Sequence, residues 1–225
     1  MKTIIKDYET FIFDCDGVVL NSNGVKSQAF YELTLPYSRA AAKELLRYHL
    51  DNGGISRYEK FSYFINYIIK KYEQESDMVP DQAQLIDLYA ETVRAGLLSC
   101  EIAPALSMLR ERLADKAWAV VSGGDQDELR QVFRHRNISG FFNKGIFGSP
   151  ENKYEIFERE LESGNFKRPA VFFGDSKLDH EVATFFDIDF IFFSGWSDLH
   201  NWSEYCLRNK IRVQEHLSDL IAETM

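Results

Sequence analysis

Two short acidic segments carry the residues best suited to chemistry. Asp14-Cys15-Asp16-Gly17-Val18-Val19 sets two carboxylates two positions apart, directly after the apolar run Phe11-Ile12-Phe13. On an extended backbone, residues i and i+2 project to the same side. Buried carboxylates without a partner are costly, and oxygen ligands of this kind suit a divalent cation such as Mg²⁺. An acidic turn at a strand end is an equally good reading of these residues alone. Phe172-Phe173-Gly174-Asp175-Ser176-Lys177-Leu178-Asp179 repeats the arrangement, with a second acid four residues after the first. Positions i and i+4 share a face if a helix follows; the bland alternative is an Asx-turn with a capping Asp. Between the two segments lie a hydroxyl and an amine. Val120-Val121-Ser122-Gly123-Gly124 places Ser122 and Gly123 where a strand gives way to a helix near Asp125. Backbone N–H groups there can approach an anion, and the helix N-terminus favours negative charge. Turn glycines before a helix cap would look the same. Ser149-Pro150-Glu151-Asn152-Lys153 predicts a helix capped by Ser149 with Pro150 in the first helical position. Lys153 would then oppose the helix dipole, which makes sense if an anion lies close by, although single lysines are commonly just solvated.

These residues need elements to position them. The runs Phe11 to Phe13, Ala117 to Val121, Ala170 to Phe173 and Phe190 to Phe193 are apolar at consecutive positions, as in strands buried on both faces of a parallel sheet. Helical patterns over 125–134 and 151–161 separate the later strands. The expectation is a doubly wound α/β fold with a parallel, Rossmann-like sheet. Residues 22–97 contain no convincing strand. Phe61, Phe64, Ile65, Ile68, Ile69 and Tyr72 recur at helical spacing and predict an amphipathic helix over 56–72. Leu85, Leu88, Tyr89 and Val93 predict a second helix, begun after Pro80-Asp81. Asn52-Gly53-Gly54 breaks the chain between helices, and the polar stretch 73–81 reads as a surface loop. The expected organisation is a sheet domain of residues 1–20 and 98–225, with a small helical domain, 21–97, inserted between.

The composition narrows the partners. The 225 residues carry 26 Lys and Arg against 35 Asp and Glu, a formal charge of −9, which lacks the positive field for nonspecific nucleic-acid or anionic-membrane binding. Any anionic ligand must be held by a local focus of positive charge. Cys15, Cys100 and Cys206 are odd in number and form no C-x-x-C pair, which argues against a disulfide framework or zinc site. No stretch approaches the roughly 18 apolar residues of a membrane span, and the N-terminus lacks a signal-peptide apolar region. A soluble, cytoplasmic protein with neither nucleic acid nor membrane as partner is expected. His180-Glu181 does not continue as a zinc-protease motif, because Thr184 stands where the second His would be. The other histidines, including His49, read as surface or core residues. The pairs Phe185-Phe186 and Phe192-Phe193 read as core packing.

Taken in order, D-x-D-G-V, an apolar strand ending in Ser, a Lys, and G-D-S-x-x-D resemble the haloacid dehalogenase-like hydrolase superfamily. The motifs span Asp14 to Asp179. With a helical insert directly after the first motif, the chain is similar to the phosphatase branch that groups phosphoglycolate phosphatase and β-phosphoglucomutase-like proteins. The resemblance implies Asp14 as a nucleophile that forms an aspartyl-phosphate. It implies Asp16 as general acid and then base, its main-chain carbonyl also reaching the metal. Ser122 and Gly123 would hold the phosphoryl group and Lys153 would neutralise it. Asp14, Asp16, Asp175 and Asp179 would form the Mg²⁺ site, Asp179 ligating or orienting a bound water. Asp at position 16 points to transfer from an oxygen, because haloacid dehalogenases and phosphonatases carry other residues there. Family analogy also places a specificity loop near residues 53–60, where Arg57 and Lys60 could contact the substrate, or simply form a basic capping turn. Asn21 stands where many relatives have Asp, and Ser122 is followed by Gly-Gly rather than Gly and a polar residue. The implied activity is Mg²⁺-dependent hydrolysis of a small phosphorylated metabolite, such as a sugar or sugar-acid phosphate. A phosphosugar mutase of the same fold, or a non-catalytic phosphometabolite-binding protein, are the alternatives.

Overall fold

Successive residues of the apolar runs enter different cores. Phe11, Phe13, Trp118, Val120, Val171 and Phe173 are buried on one face of a sheet, and Ile12, Ala119, Val121 and Phe172 on the other. Both faces are covered, so the strands need apolar residues at every position. The computed structural model describes residues 5–75 and 80–224. Its strands are β1 (Thr10–Phe13), β2 (Ala117–Asp125), β3 (Gly145–Ser149), β4 (Ala170–Gly174), β5 (Asp189–Phe193) and β6 (Arg212–Gln214). All pair in parallel, in the order β3-β2-β1-β4-β5-β6. The expected doubly wound α/β fold is therefore present. The winding reverses at β1, and in such sheets the crevice beyond the carboxyl ends at the reversal is where ligands bind.

Strands β3 and β6 were not legible as apolar runs. They lie at the two ends of the sheet, where each has one neighbour; β3 is bounded by glycine, and all of β6 is only half-buried.

Among the described residues, the insert after β1 holds four α-helices: α1 (Asn23–Thr34), α2 (Arg39–Asp51), α3 (Arg57–Tyr63) and α4 (Gln82–Ser99). The helix expected over 56–72 is not uniform. It passes into a π-turn at Phe64–Ile68 and a 3₁₀ stretch at Ile69–Glu75, which re-phases the apolar side; Phe61, Phe64, Ile68 and Ile69 are all buried. Part of the expected loop over 73–81 lies outside the described residues, and Asp81 caps α4 by accepting from Gln84 N at 2.8 Å. Phe30, Leu45, Phe61 and Tyr89 of the insert share one continuous core with Phe11, Phe13 and Trp118 of the sheet.

The remaining helices are α5 (Leu106–Arg112), α6 (Gln126–His135), α7 (Lys153–Glu162), α8 (Lys177–Phe185) and α9 (Trp202–Asn209). Those on the insert side include α6, through Leu129, Val132 and Phe133; α7 and α8 cover the opposite face with Ile156, Phe157, Val182 and Ala183. Phe192 and Phe193 are core residues as expected, but Phe185 is not. It ends α8 at 71% exposure, resting edge-on against Phe186. Among the described residues, no helix is long and apolar enough to cross a membrane.

Candidate functional site

Asp14 follows β1 and Asp175 follows β4, the neighbouring strand, so the sheet itself brings the two acids to one rim. The backbone of Asp14 stays in register, its N–H donating to Phe173 O at 2.8 Å. Asp179 reaches the rim from the first turn of α8. There it completes a reciprocal cap with Ser176: the Ser176 hydroxyl donates to Asp179 Oδ2 at 2.7 Å, and Asp179 N donates back to that hydroxyl. Asp14, Asp175 and Asp179 are all buried, and each offers an oxygen within 4.8 Å of the others. Lys153, the first residue of α7, is 2% exposed and sits among them. Its Nζ lies 3.0 Å from Asp14 Oδ2 and 2.5 Å from Asp179 Oδ1. The cation that opposed the helix dipole in sequence has its anions. Gly17 makes the close packing possible. Its φ is +76°, and a Cβ there would stand 2.1 Å from Asp175 Oδ2, so a side chain would be both strained and in collision.

Burial pushes the Asp14 carboxyl up to about 7; Lys153 pulls it down, while Asp179 and Asp16 push it further up. Burial, then Asp14 and Asp179, raise Asp175 well above the ordinary carboxylate range. Burial would discharge Lys153, but Asp14 and Asp179 outweigh it and hold the ammonium charged. Three buried carboxyls thus share one positive charge. A donor set made only of oxygens, short of positive charge, fits a hard divalent cation. Asp179 spends its oxygens on Lys153 and Ser176, and Asp14 spends its own on Lys153 and the Cys15 N–H, whereas Asp175 accepts only from Asn23 and is the freest ligand of the three.

Asp16 departs from expectation. The chain does not stay extended after Phe13; it folds into a turn closed by Gly17 N to Leu20 O at 2.9 Å and Leu20 N to Cys15 O at 2.9 Å. The Asp16 carboxylate therefore faces the insert, outside the acidic triad. Ser22 Oγ donates to Asp16 Oδ1 at 2.5 Å, and Lys26 Nζ meets Oδ2 at 2.5 Å. Ser22 stands at the N-cap of α1 yet makes no cap bond; its hydroxyl is given to Asp16 instead. Burial works to raise the Asp16 carboxyl, but Lys26 and Ser22 together bring it below its usual value. Sequence reasoning missed Lys26. It also missed Asn23, whose amide donates to Asp175 Oδ2 at 2.8 Å and to Trp196 O at 2.9 Å. The signal for Lys26 was the one used for Lys153, a lysine in the first turn of a helix.

The hydroxyl segment lies next to β1. The β2–β3 register slips between Val121 and Asp125, so Ser122-Gly123-Gly124 leaves the regular ladder. Ser122 is buried, its Oγ accepting from Gly124 N at 3.1 Å. A Cβ on Gly123 would lie 2.1 Å from Gly54 O of the insert. The helix starting at α7 is not capped by Ser149. Strand β3 runs through Ser149, whose hydroxyl donates to Gly123 O at 2.8 Å. Asn152 is the cap, accepting from Glu155 N at 3.1 Å while its own N–H donates to Glu155 Oε2 at 2.8 Å. Pro150 therefore precedes the helix.

The family model described as "Hydrolase: haloacid dehalogenase-like hydrolase" matches residues 8–183. The chain belongs to that family. Its fold is also that of solved haloacid dehalogenase-like proteins. A haloacid dehalogenase-like hydrolase from Streptococcus pneumoniae aligns at TM-score 0.67 and 19% identity, over 96% of this chain and 98% of that one. A predicted phosphatase from Clostridium acetobutylicum aligns at TM-score 0.71 and 18% identity, over 96% and 97%. CbbY from Rhodobacter sphaeroides in complex with phosphate aligns at TM-score 0.68 and 18% identity, over 95% and 96%. No curated protein sequence matches the chain.

In this haloacid dehalogenase-like chain the insert closes over the rim. A cavity of about 70 Å³ lies between them, lined by Asp14, Asp16, Asp175, Lys26, Arg57 and Lys60 among others. One water-sized group needs roughly 10–15 Å³ on this measure, so the space suits a small ligand. Arg57 is not an open clamp. Its guanidinium forms a forked ion pair with Glu128 in the first turn of α6 and stacks over Tyr89, 4.8 Å from the ring centre. Beside it Tyr58 donates its hydroxyl to Asp125 Oδ2 at 2.8 Å. Lys60 is buried with its Nζ 2.7 Å from His49 Nδ1. His49 thus lines the cavity rather than serving as a surface or filler residue.

Proposed function

We propose that this haloacid dehalogenase-like chain is a phosphomonoester hydrolase that acts on a small phosphorylated metabolite, a sugar or sugar-acid phosphate, through an aspartyl-phosphate. The supporting observation is Lys153, buried in contact with Asp14 and Asp179 beside Asp175, while Asp16 is held apart by Ser22 and Lys26. Two carboxylates with separate partners can take separate roles. The Asp14 carboxylate attacks phosphorus and the ester P–O bond breaks. Asp16, ionised beside Lys26, passes a proton from the Lys26 ammonium to the leaving oxygen, then takes one from the water that opens the aspartyl-phosphate and returns it to Lys26. Inorganic phosphate leaves and both carboxyls return to their starting forms. Lys153 offsets charge on Asp14 and on the incoming phosphoryl group, and Ser122 and Gly123 offer donors to its oxygens. Asp14, Asp175 and the main-chain carbonyl of Asp16 would hold Mg²⁺, with Asp179 fixing the surroundings through Lys153 and Ser176. When bound, Mg²⁺ offsets the repulsion between two anions and fixes their approach. Residues 21–97 act as a cap over a sheet domain of 1–20 and 98–225, excluding water on closure.

The test is phosphate release from a panel of phosphorylated sugars and sugar acids, with Mg²⁺ and with EDTA. Release without a bisphosphate activator, abolished by EDTA and by Asp14→Asn, is expected. Hydrolysis by Asp14→Asn at the wild-type rate would remove the nucleophile, and turnover only in the presence of a bisphosphate activator, with no phosphate released, would make the protein a mutase.

A further inference from the structure

Asp14 and Asp179 are each held by at least two groups, but the Asp175 carboxylate has a single hydrogen-bond donor among the described residues, Asn23. Asn23 opens α1, the first helix of the insert. Its Nδ2 donates one hydrogen to Asp175 Oδ2 at 2.8 Å and the other to Trp196 O, in the loop after β5, at 2.9 Å. A main-chain carbonyl can only accept, so the nitrogen is the end of the amide that faces it. The same loop grips the main chain of Asp175, where Ser197 Oγ donates to Asp175 O at 2.6 Å. Asp175 lines the cavity, and its Oδ1 accepts no hydrogen bond among the described residues.

Two features set this bond apart from the usual use of a polar residue at a helix start. Ser and Asn there commonly cap the helix. Here Ser22 makes no cap bond and gives its hydroxyl to Asp16, while Asn23 gives its amide to Asp175, so the start of α1 serves both acids. Gly17 leaves the space in which amide and carboxylate meet. A Cβ there would stand 2.1 Å from Asp175 Oδ2 and 2.7 Å from Asn23 Nδ2. A carboxylate with one oxygen held and the other free can ligate a cation through the free oxygen, and hydrogen bonds of this outer kind fix the direction of a metal ligand. Asn23 belongs to the insert and Asp175 to the sheet domain, so the bond exists only when the two are together.

We propose that Asn23 is a positioning residue for Asp175: by holding Oδ2 it presents Oδ1 to a divalent cation, and so makes cation affinity depend on how α1 seats against the sheet domain. The inference rests on the Mg²⁺ site proposed above. Calorimetric titration with Mg²⁺ alone, without substrate, tests it. The wild-type protein should bind the ion and Asp175→Asn should not. Asn23→Leu keeps the volume of the amide and removes both donors; the Kd for Mg²⁺ should rise about 10–100-fold. Asn23→Ser, too short to bridge both partners, should raise Kd at least about tenfold and serves where the leucine variant does not fold. Ser27→Ala is the control. It breaks a neighbouring bond on the same face of α1, from Ser27 Oγ to Asp198 Oδ2 at 3.0 Å, and should leave Kd within about twofold. An Asn23 that only fastened α1 would act through the seat of the helix, and Ser27→Ala would then weaken Mg²⁺ binding as much as Asn23→Leu for an equal fall in Tm. That result, or a Kd within about twofold of wild type in the Asn23 variants, overturns the inference alone. Failure of the wild-type protein to bind Mg²⁺, or binding that Asp175→Asn leaves unchanged, overturns the metal site and this inference with it.

Discussion

The ion pair between Arg57 and Glu128 fastens the helical insert to α6, and its contribution can be measured by a double-mutant cycle. Arg57→Met removes the charge but keeps a stem over Tyr89; Glu128→Gln keeps the shape and removes the charge. The Arg57 side chain is 4% exposed and that of Glu128 15%. Breaking a fully buried pair on one side costs about 3–5 kcal/mol; the partial exposure of Glu128 lowers this to about 1–3 kcal/mol for either single variant. The double variant strands no charge. Its loss should therefore fall short of the sum of the singles by about 1–2 kcal/mol, a coupling typical of groups in contact. For a chain of this size each kcal/mol corresponds to about 2–4 °C in Tm. Urea unfolding of the four proteins, with melting curves in parallel, supplies the numbers. Additivity within about 0.5 kcal/mol would refute the reasoning, because it would show that the pair adds nothing beyond its separate parts and that the insert is fastened elsewhere.

Lys153→Met removes the one ammonium in contact with Asp14 and Asp179; urea unfolding should show a loss of about 3–5 kcal/mol, and phosphate release should fall at least about 100-fold. Mg²⁺ at about 100 times its Kd should add about 2.7 kcal/mol, read as a rise in Tm that Asp175→Asn abolishes. Without metal, stability should fall as pH rises from about 4 through 7. Asp14, at about 7, and Asp175, well above its ordinary value, bind protons in the native state that the unfolded chain has already released. The slope for one such carboxyl reaches about 1.4 kcal/mol per pH unit. Urea midpoints in EDTA across that range check the sign, and saturating Mg²⁺ should flatten the trend.

What could be read from the chain depended on how local each signal was. Asp14 and Asp175 each follow a run of consecutive apolar residues, and Lys153 and Asp179 each stand in a first helical turn, so their elements announced them. The divergence of Asp16 depended on the turn at Gly17, where a positive φ and the Gly17–Leu20 bond swing the carboxylate toward the insert; a two-residue spacing says nothing of that. Ser149 reads as the cap from the sequence, but the reciprocal bond between Asn152 and Glu155, together with the claim of Gly123 O on Ser149, puts the cap at Asn152. The hydrogen bonds from Asp198 through Ser27 and His49 to Lys60 join residues on four separate segments. No periodicity connects them, and only the packing of the insert on the sheet brings them together. Arg57 was legible as a special cation, but its partner Glu128 lies 71 positions away on another element.

In the proposed reaction Asp14 becomes covalently phosphorylated. Rapid acid quenching during turnover of a phosphate ester, followed by mass spectrometry of the peptide containing Asp14, measures this directly. The mass of one phosphoryl group is expected on Asp14 in the wild-type protein and none in Asp14→Asn. Phosphate release at full rate with Asp14 never modified, or with the phosphoryl group on a different side chain, would contradict it.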